Sequence, residues 1–155
     1  MKKLSLLPLA VALHVQAAPS SMEGTWEARW ACKQGPGCPA GEDIFHLDLR
    51  THGDQVCAKV LASAHGGNKV EEDEDVEPPS IVGRFQGAGA TVAYTSNWGG
   101  HGVASIRVEG PSLSWRVLWH DAGESYIPSQ AVLHRSSRDD RPIWRDFVCP
   151  QQEAH

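Results

Sequence analysis

GATVAYTSNWGGHGVASIRVEGPSLSWRVLW, residues 89–119, is the stretch that decides the fold. It reads as three strands with a period of two. Gly89 to Ser96 puts Val92 and Tyr94 on one face, and Gly102 to Gly110 carries Ala104, Ile106 and Val108. Ser112 to Trp119 lines up Leu113, Trp115, Val117 and Trp119. A strand sends successive side chains to opposite faces, so this alternation marks a sheet with one buried side. Short glycine-bearing links, such as Gly110-Pro111, join antiparallel neighbours.

The same pattern continues on both sides. Upstream lie Gly24 to Cys32, Asp43 to Arg50, Asp54 to Ala62 and Ser80 to Gln86; downstream lies Ser129 to Arg135. Phe45, Leu47 and Leu49 form an apolar face opposite His46, Asp48 and Arg50, and that polar face is expected to be solvated. Val56, Ala58 and Val60 point inward after a turn at Thr51 to Asp54. The chain is therefore read as all-β: one small antiparallel up-and-down barrel of about eight strands, with a β-sandwich as the alternative. Such a barrel is wide enough for side chains or one small ligand. Phe45, Phe85, Trp115 and Trp119 predict a filled interior.

The chain begins with a leader. Lys2 and Lys3 precede an apolar run from Leu4 to Val15, and Val15-Gln16-Ala17 offers small residues for cleavage. The run is shorter than the ~20 residues a membrane span needs, so residues 1–17 read as a bacterial secretory signal. The remainder, 18–155, has single-domain length, with a strand core over about 24–135 and a tail over 136–155. The expected location is periplasmic or secreted, with no stable membrane insertion after cleavage. The full chain holds 14 basic and 19 acidic residues, a formal net charge of −5. Both leader lysines leave with the signal, so the mature chain is more negative still. That charge excludes nucleic acid as the main partner.

All 4 cysteines lie beyond the leader. An even count in an oxidising compartment predicts disulfides. Cys32 and Cys38 flank the flexible Lys-Gln-Gly-Pro-Gly and are paired, which leaves Cys57 with Cys149 to staple the tail. Zinc is not expected, because C-x5-C is not the usual spacing and no second pair follows.

Glu71, Glu72, Asp73, Glu74, Asp75 and Glu77 concentrate acid in a connection from about Ala64 to Pro79. It reads as a solvated loop, or as a docking surface for a basic partner; the D-x-D-x-D-G spacing of a calcium loop is missing.

Gly24-Thr25-Trp26 at the start of the first strand and Arg135 at the end of the last resemble the calycin superfamily of lipocalin-like barrels. The resemblance implies an eight-strand barrel over about 24–135, in which Arg135 lies against Trp26 and closes the base by a cation–π contact. It also implies a small apolar ligand as a possible cargo, which stands as the alternative function.

Two loops carry the recognition candidates. Trp98 and His101 sit among glycines that provide little local cover. His120, Asp121 and Tyr126 lie in the connection before the last strand. Two strands separate these loops, so both fall at one end of a meander and form a candidate rim. Ser96, His101 and Asp121 supply the residue types of a hydrolase triad, but no G-x-S-x-G elbow accompanies them. No histidine pair has metal-ligand spacing. The sequence thus points to a non-enzymatic exported binding protein without cofactor or metal. Another protein, of basic charge, is its expected partner, as for an inhibitor or an immunity-type protein; the oligomeric state is left open.

Overall fold

Alternating apolar residues resolve into nine strands in the computed structural model, which describes residues 22–32, 38, 41–74, 78–136, 144 and 147–150. The strands are β1 (Gly24–Ala31), β2 (Glu42–His52), β3 (Gln55–Ala64), β4 (Lys69–Glu72), β5 (Ile81–Gln86), β6 (Gly89–Thr95), β7 (His101–Glu109), β8 (Ser112–His120) and β9 (Gln130–Arg135). Residues 1–17, expected to be a leader, and the acidic residues Asp75 and Glu77 lie outside the described residues.

The sheet runs in the order β2-β1-β9-β8-β7-β6-β5-β3-β4, and β2 also pairs with β3. Every pairing is antiparallel. Eight strands therefore close on themselves as an up-and-down barrel, and β4 is added outside the ring. The sandwich alternative is set aside by this closure. Among the described residues, no helix is long and apolar enough to cross a membrane.

Tight turns at Gly53-Asp54, Gly87-Ala88 and Gly110-Pro111 lie at one end, the base. Gly53, Gly87 and Gly110 take φ of 61°, 64° and 60°, a region other residues enter only with strain. Met22 plugs this end, and its carbonyl accepts the Trp26 indole N–H at 2.8 Å. The Arg135 guanidinium lies 4.3 Å from the centre of the Trp26 ring and donates to the Glu23 carbonyl.

The interior is packed with side chains. Trp115 meets Phe45 edge-on at 5.3 Å and tilts against Tyr94 at 6.0 Å. Leu47, Leu49, Val60, Ile81, Ile106, Leu113 and Leu133 fill the layers around them, all buried. Burying each such side chain contributes about 1.5–3 kcal/mol, which makes the filled interior the main source of stability. Two expected members are placed differently. Phe85 is only partly buried. Trp119 is 58% exposed, because a bulge opposite Val103/Ala104 puts an extra residue into β8, pairing Ala104 with Val117 and Val103 with Trp119. One extra residue reverses the faces beyond it, and Trp119 turns outward.

Two further expectations are corrected. The connection from Ala64 to Pro79 is not all loop, since β4 pairs Lys69–Glu72 with Leu61–Ala64 of β3. It occupies the half of β3 that β5 leaves free, because β5 pairs only with Gln55–Ala58. The polar face of β2 is also not solvated. The tail crosses it, held by the Cys57–Cys149 disulfide. His46 lies 5.6 Å from Trp144, and Arg50 and Lys59 lie 5.3 and 5.7 Å from Phe147. Asp48 and Lys59 are fully buried beneath this strap, and Arg50 pairs with Asp48 at 2.8 Å. A second disulfide joins Cys32 to Cys38.

Candidate functional site at the open end of the barrel

Opposite the base, the β6–β7 and β8–β9 connections meet β4, and their junction is made of glycine. The Gly100 N–H donates to the Glu124 carbonyl at 2.9 Å, and Gly99 bridges to Glu124. A Cβ on Gly100 would stand 2.6 Å from that carbonyl oxygen, and one on Gly123 would stand 2.6 Å from the Gly100 Cα. The loops touch backbone to backbone because neither glycine has a side chain.

Glu71 fixes both loops to β4. Its side chain is inside, with the residue 1% exposed. Oε1 accepts the Asn97 N–H at 3.2 Å, and Oε2 accepts the Tyr126 N–H at 2.9 Å and the Ser125 hydroxyl at 3.5 Å. A carboxylate bonded to backbone amides in a poorly hydrated place is a strong, directional tie. The apolar Val70 beside it faces out, the reverse of the usual strand polarity.

Above this tie stands an aromatic cluster. Trp98, 40% exposed, meets Tyr126 edge-on at 5.0 Å. Its indole N–H donates to the Val70 carbonyl at 3.1 Å. The Lys69 ammonium lies 4.5 Å from the Trp98 ring and 5.5 Å from the Tyr126 ring. His65 also meets Tyr126 edge-on, at 6.1 Å. The Tyr126 hydroxyl donates to Glu124, which raises the phenol's pKa above its usual range.

A second cluster adjoins it. Asp121 Oδ1 accepts the N–H groups of His101 and Gly123, each at 3.0 Å, and these bonds hold its carboxyl below the ordinary value. His101 Nδ1 lies 3.5 Å from Asp121 Oδ2, and His120 Nδ1 lies 2.6 Å from the Asp121 carbonyl oxygen. The Ser96 hydroxyl is buried and accepts the Trp98 N–H at 3.1 Å, so it serves the turn. Among the described residues, no cluster of three or more His, Cys, Asp or Glu side chains is set to hold a metal ion.

The five rim residues Trp98, His101, His120, Asp121 and Tyr126 thus fall at one end, divided into an aromatic and an imidazole–carboxylate group. The acidic segment divides differently. Glu71 and Asp73 are buried, Glu72 is half-buried and Glu74 is exposed. Asp73 Oδ2 accepts the N–H of Val60 at 3.1 Å, the N–H of Ser80 at 3.2 Å and the Ser80 hydroxyl at 2.9 Å. Burial nevertheless raises the Asp73 pKa. Two of these acids are therefore internal ties and not docking charges. Lys69 and His65 were not among the site residues expected from sequence, and Glu71 was expected only as one charge of the acidic segment, not as an internal tie. Lys69 and Glu71 sit on a four-residue strand, too short to leave a periodic signal. Comparisons with family models, curated proteins and solved structures find no match to this chain.

Proposed function

We propose that this chain is an exported, non-enzymatic protein that binds another protein through the open-end rim. Trp98 carries the reading. Its ring is well exposed, yet it is held by the Val70 carbonyl, Lys69 and Tyr126 before any partner arrives. Binding energy concentrates on Trp and Tyr anchors, and an anchor fixed in advance loses little entropy on docking. The exposed His101, His120 and Glu124 surround it with polar groups, as a rim does. An inhibitor or immunity-type protein matches this form. Export is supported by the leader over residues 1–17 and by both disulfides. The eight-stranded barrel and the Trp26–Arg135 contact support a calycin-like kinship. The packed interior speaks against the cargo function of that family.

The test is affinity capture from periplasmic extract with the mature, oxidised protein, compared with its Trp98→Ala and Tyr126→Ala variants. A specific partner held by the wild type should be lost by at least ~100-fold in affinity in Trp98→Ala, as for a central hot spot. Equal retention by the variant would refute the rim as the binding surface.

A further inference from the structure

The barrel wall is closed unevenly. β1 and β9 pair only at Trp26 with Arg135 and Glu27 with His134, near the base. Toward the open end, Ala28–Ala31 and Gln130–Leu133 run beside each other with no bridge between them.

Parity identifies the backbone groups left over. In an antiparallel ladder, successive residues direct their N–H and C=O to opposite neighbours. The Cys32 N–H bonds the Gly41 carbonyl, so Ala28 and Trp30 face β2 while Arg29 and Ala31 face β9. The Val117 N–H bonds the Ser129 carbonyl, so Ala131 and Leu133 face β8 while Gln130 and Val132 face β1. The Ser136 N–H, bonded to the Thr25 carbonyl at 3.1 Å, fits the same phase. Arg29, Ala31, Gln130 and Val132 therefore present unpaired backbone to the gap. A free strand edge of this kind is a template for another chain.

The gap has room and recognisable chemistry. A cleft of about 340 Å³ runs along this seam, bordered by Glu27, Arg29, Trp30, Gln130, Val132 and His134, with the Glu27 carboxylate paired to Arg29. Trp30 is 37% and Val132 60% exposed, which leaves apolar surface beside the open edge. From Gln130 and Val132 a second cleft of about 650 Å³ continues across β8 and β7 to Arg116 and Arg107. These arginines are diagonal neighbours, since Arg116 faces Ser105 and Arg107 faces Ser114. Neither guanidinium has an ion pair among the described residues. Glu109 borders the far side of the cleft. Two uncompensated cations on a chain of net charge −5 make a local positive surface against the overall field.

We propose that the β1–β9 seam is a docking groove for an extended segment of a partner protein that carries acidic side chains. The segment adds as a strand to β9, exchanging backbone hydrogen bonds with Gln130 and Val132. An apolar side chain on the inner face covers Trp30, and a carboxylate on the outer face, beside Val132, reaches Arg116, with Arg107 behind it. The open backbone edge favours a peptide over an acidic polysaccharide, which lacks donors and acceptors at strand spacing.

Backbone amide exchange followed by NMR tests this on the mature, oxidised protein. Without ligand, the amides of Gln130 and Val132 should exchange much faster than those of Ala131 and Leu133. Equal protection of all four would mean the edge is already paired, and the proposal would fall. The probe is then a capped octapeptide of alternating valine and glutamate, with valine–lysine as its control, both at millimolar concentration. The glutamate peptide should slow exchange at Gln130 and Val132 at least tenfold. Arg107→Glu with Arg116→Glu, both exposed and so harmless to the core, should weaken its binding at least tenfold. The proposal is overturned by no protection with the glutamate peptide, equal binding of the lysine peptide, unchanged binding by the double variant, or shifts confined to the Trp98 rim.

Discussion

Replacing Glu71 with glutamine tests how the rim is built. Glutamine has the same shape, but it keeps one acceptor oxygen where glutamate uses two. Asn97 N–H is bonded to Oε1 and Tyr126 N–H to Oε2, at 3.2 and 2.9 Å. Whichever way the amide turns, its NH2 group confronts one of these backbone donors. A buried donor left without its acceptor costs about 1–3 kcal/mol. For a domain of this length, ~2 kcal/mol lowers Tm by roughly 6–10 °C. Glu71→Ala strands both donors and should cost about twice as much, partly offset because no charge is then buried. The assay is reversible thermal denaturation with disulfides intact, together with amide exchange at Asn97 and Tyr126. One of these two amides should lose protection in the glutamine variant, and both in the alanine variant. A Tm for Glu71→Gln within roughly 1 °C of wild type, with both amides still protected, would refute the reasoning.

Three other outcomes follow from the geometry. In Gly102→Ala the new methyl would stand 2.4 Å from the Tyr94 ring, which is itself buried, so overpacking should cost about 1–3 kcal/mol in denaturant unfolding. An unchanged midpoint would show that the ring moves freely. Paired Cys57→Ser and Cys149→Ser changes open a loop with sequence separation 92, and chain entropy then sets a loss of about 4–5 kcal/mol. The same variant should let Trp144 and Phe147 leave the wall, visible as quicker proteolysis of the tail; a tail as resistant as in wild type would contradict the strap. Burial depresses the pKa of His46 below its ordinary 6.5, although Glu27 pulls it upward. A depressed histidine favours the folded state above its unfolded pKa, and that stability is lost as pH falls from about 6.5 through the folded value. Asp73 has the opposite sign, its raised pKa favouring the folded state most at low pH. The difference in Tm between wild type and His46→Leu, followed from pH 8 to pH 5, isolates the histidine; a difference that does not change with pH would show that the ring titrates as in solvent.

Much of the architecture was legible because it depends on neighbouring residues. Alternation at Phe45, Leu47 and Leu49, or at Ala104 and Ile106, needs only the two-residue period of a strand and one buried face. The glycines of the base turns mark their own positive φ. The short Cys32–Cys38 loop suggested its own pairing, and counting then left Cys57 for Cys149. The two rim loops fell at the same end because each strand of a meander reverses the chain.

What tertiary structure decided is wherever a residue's environment comes from distant chain. β4 exists because β5 leaves half of β3 uncovered, which nothing within Lys69–Glu72 announces. Glu71 reads as one acid in a run of acids, and it becomes an internal tie only when loops 26 and 55 residues away bring their amides to it. His46 and Asp48 look like a solvated face until Trp144, Phe147 and the disulfide-held Cys149 cover that side of the wall. Trp119 keeps perfect alternation with Trp115 in sequence, and a single bulge turns it outward. Local pattern assigns strands and their two faces. Which face meets water depends on contacts whose closure joins distant segments, and the sequence pattern carries no record of them.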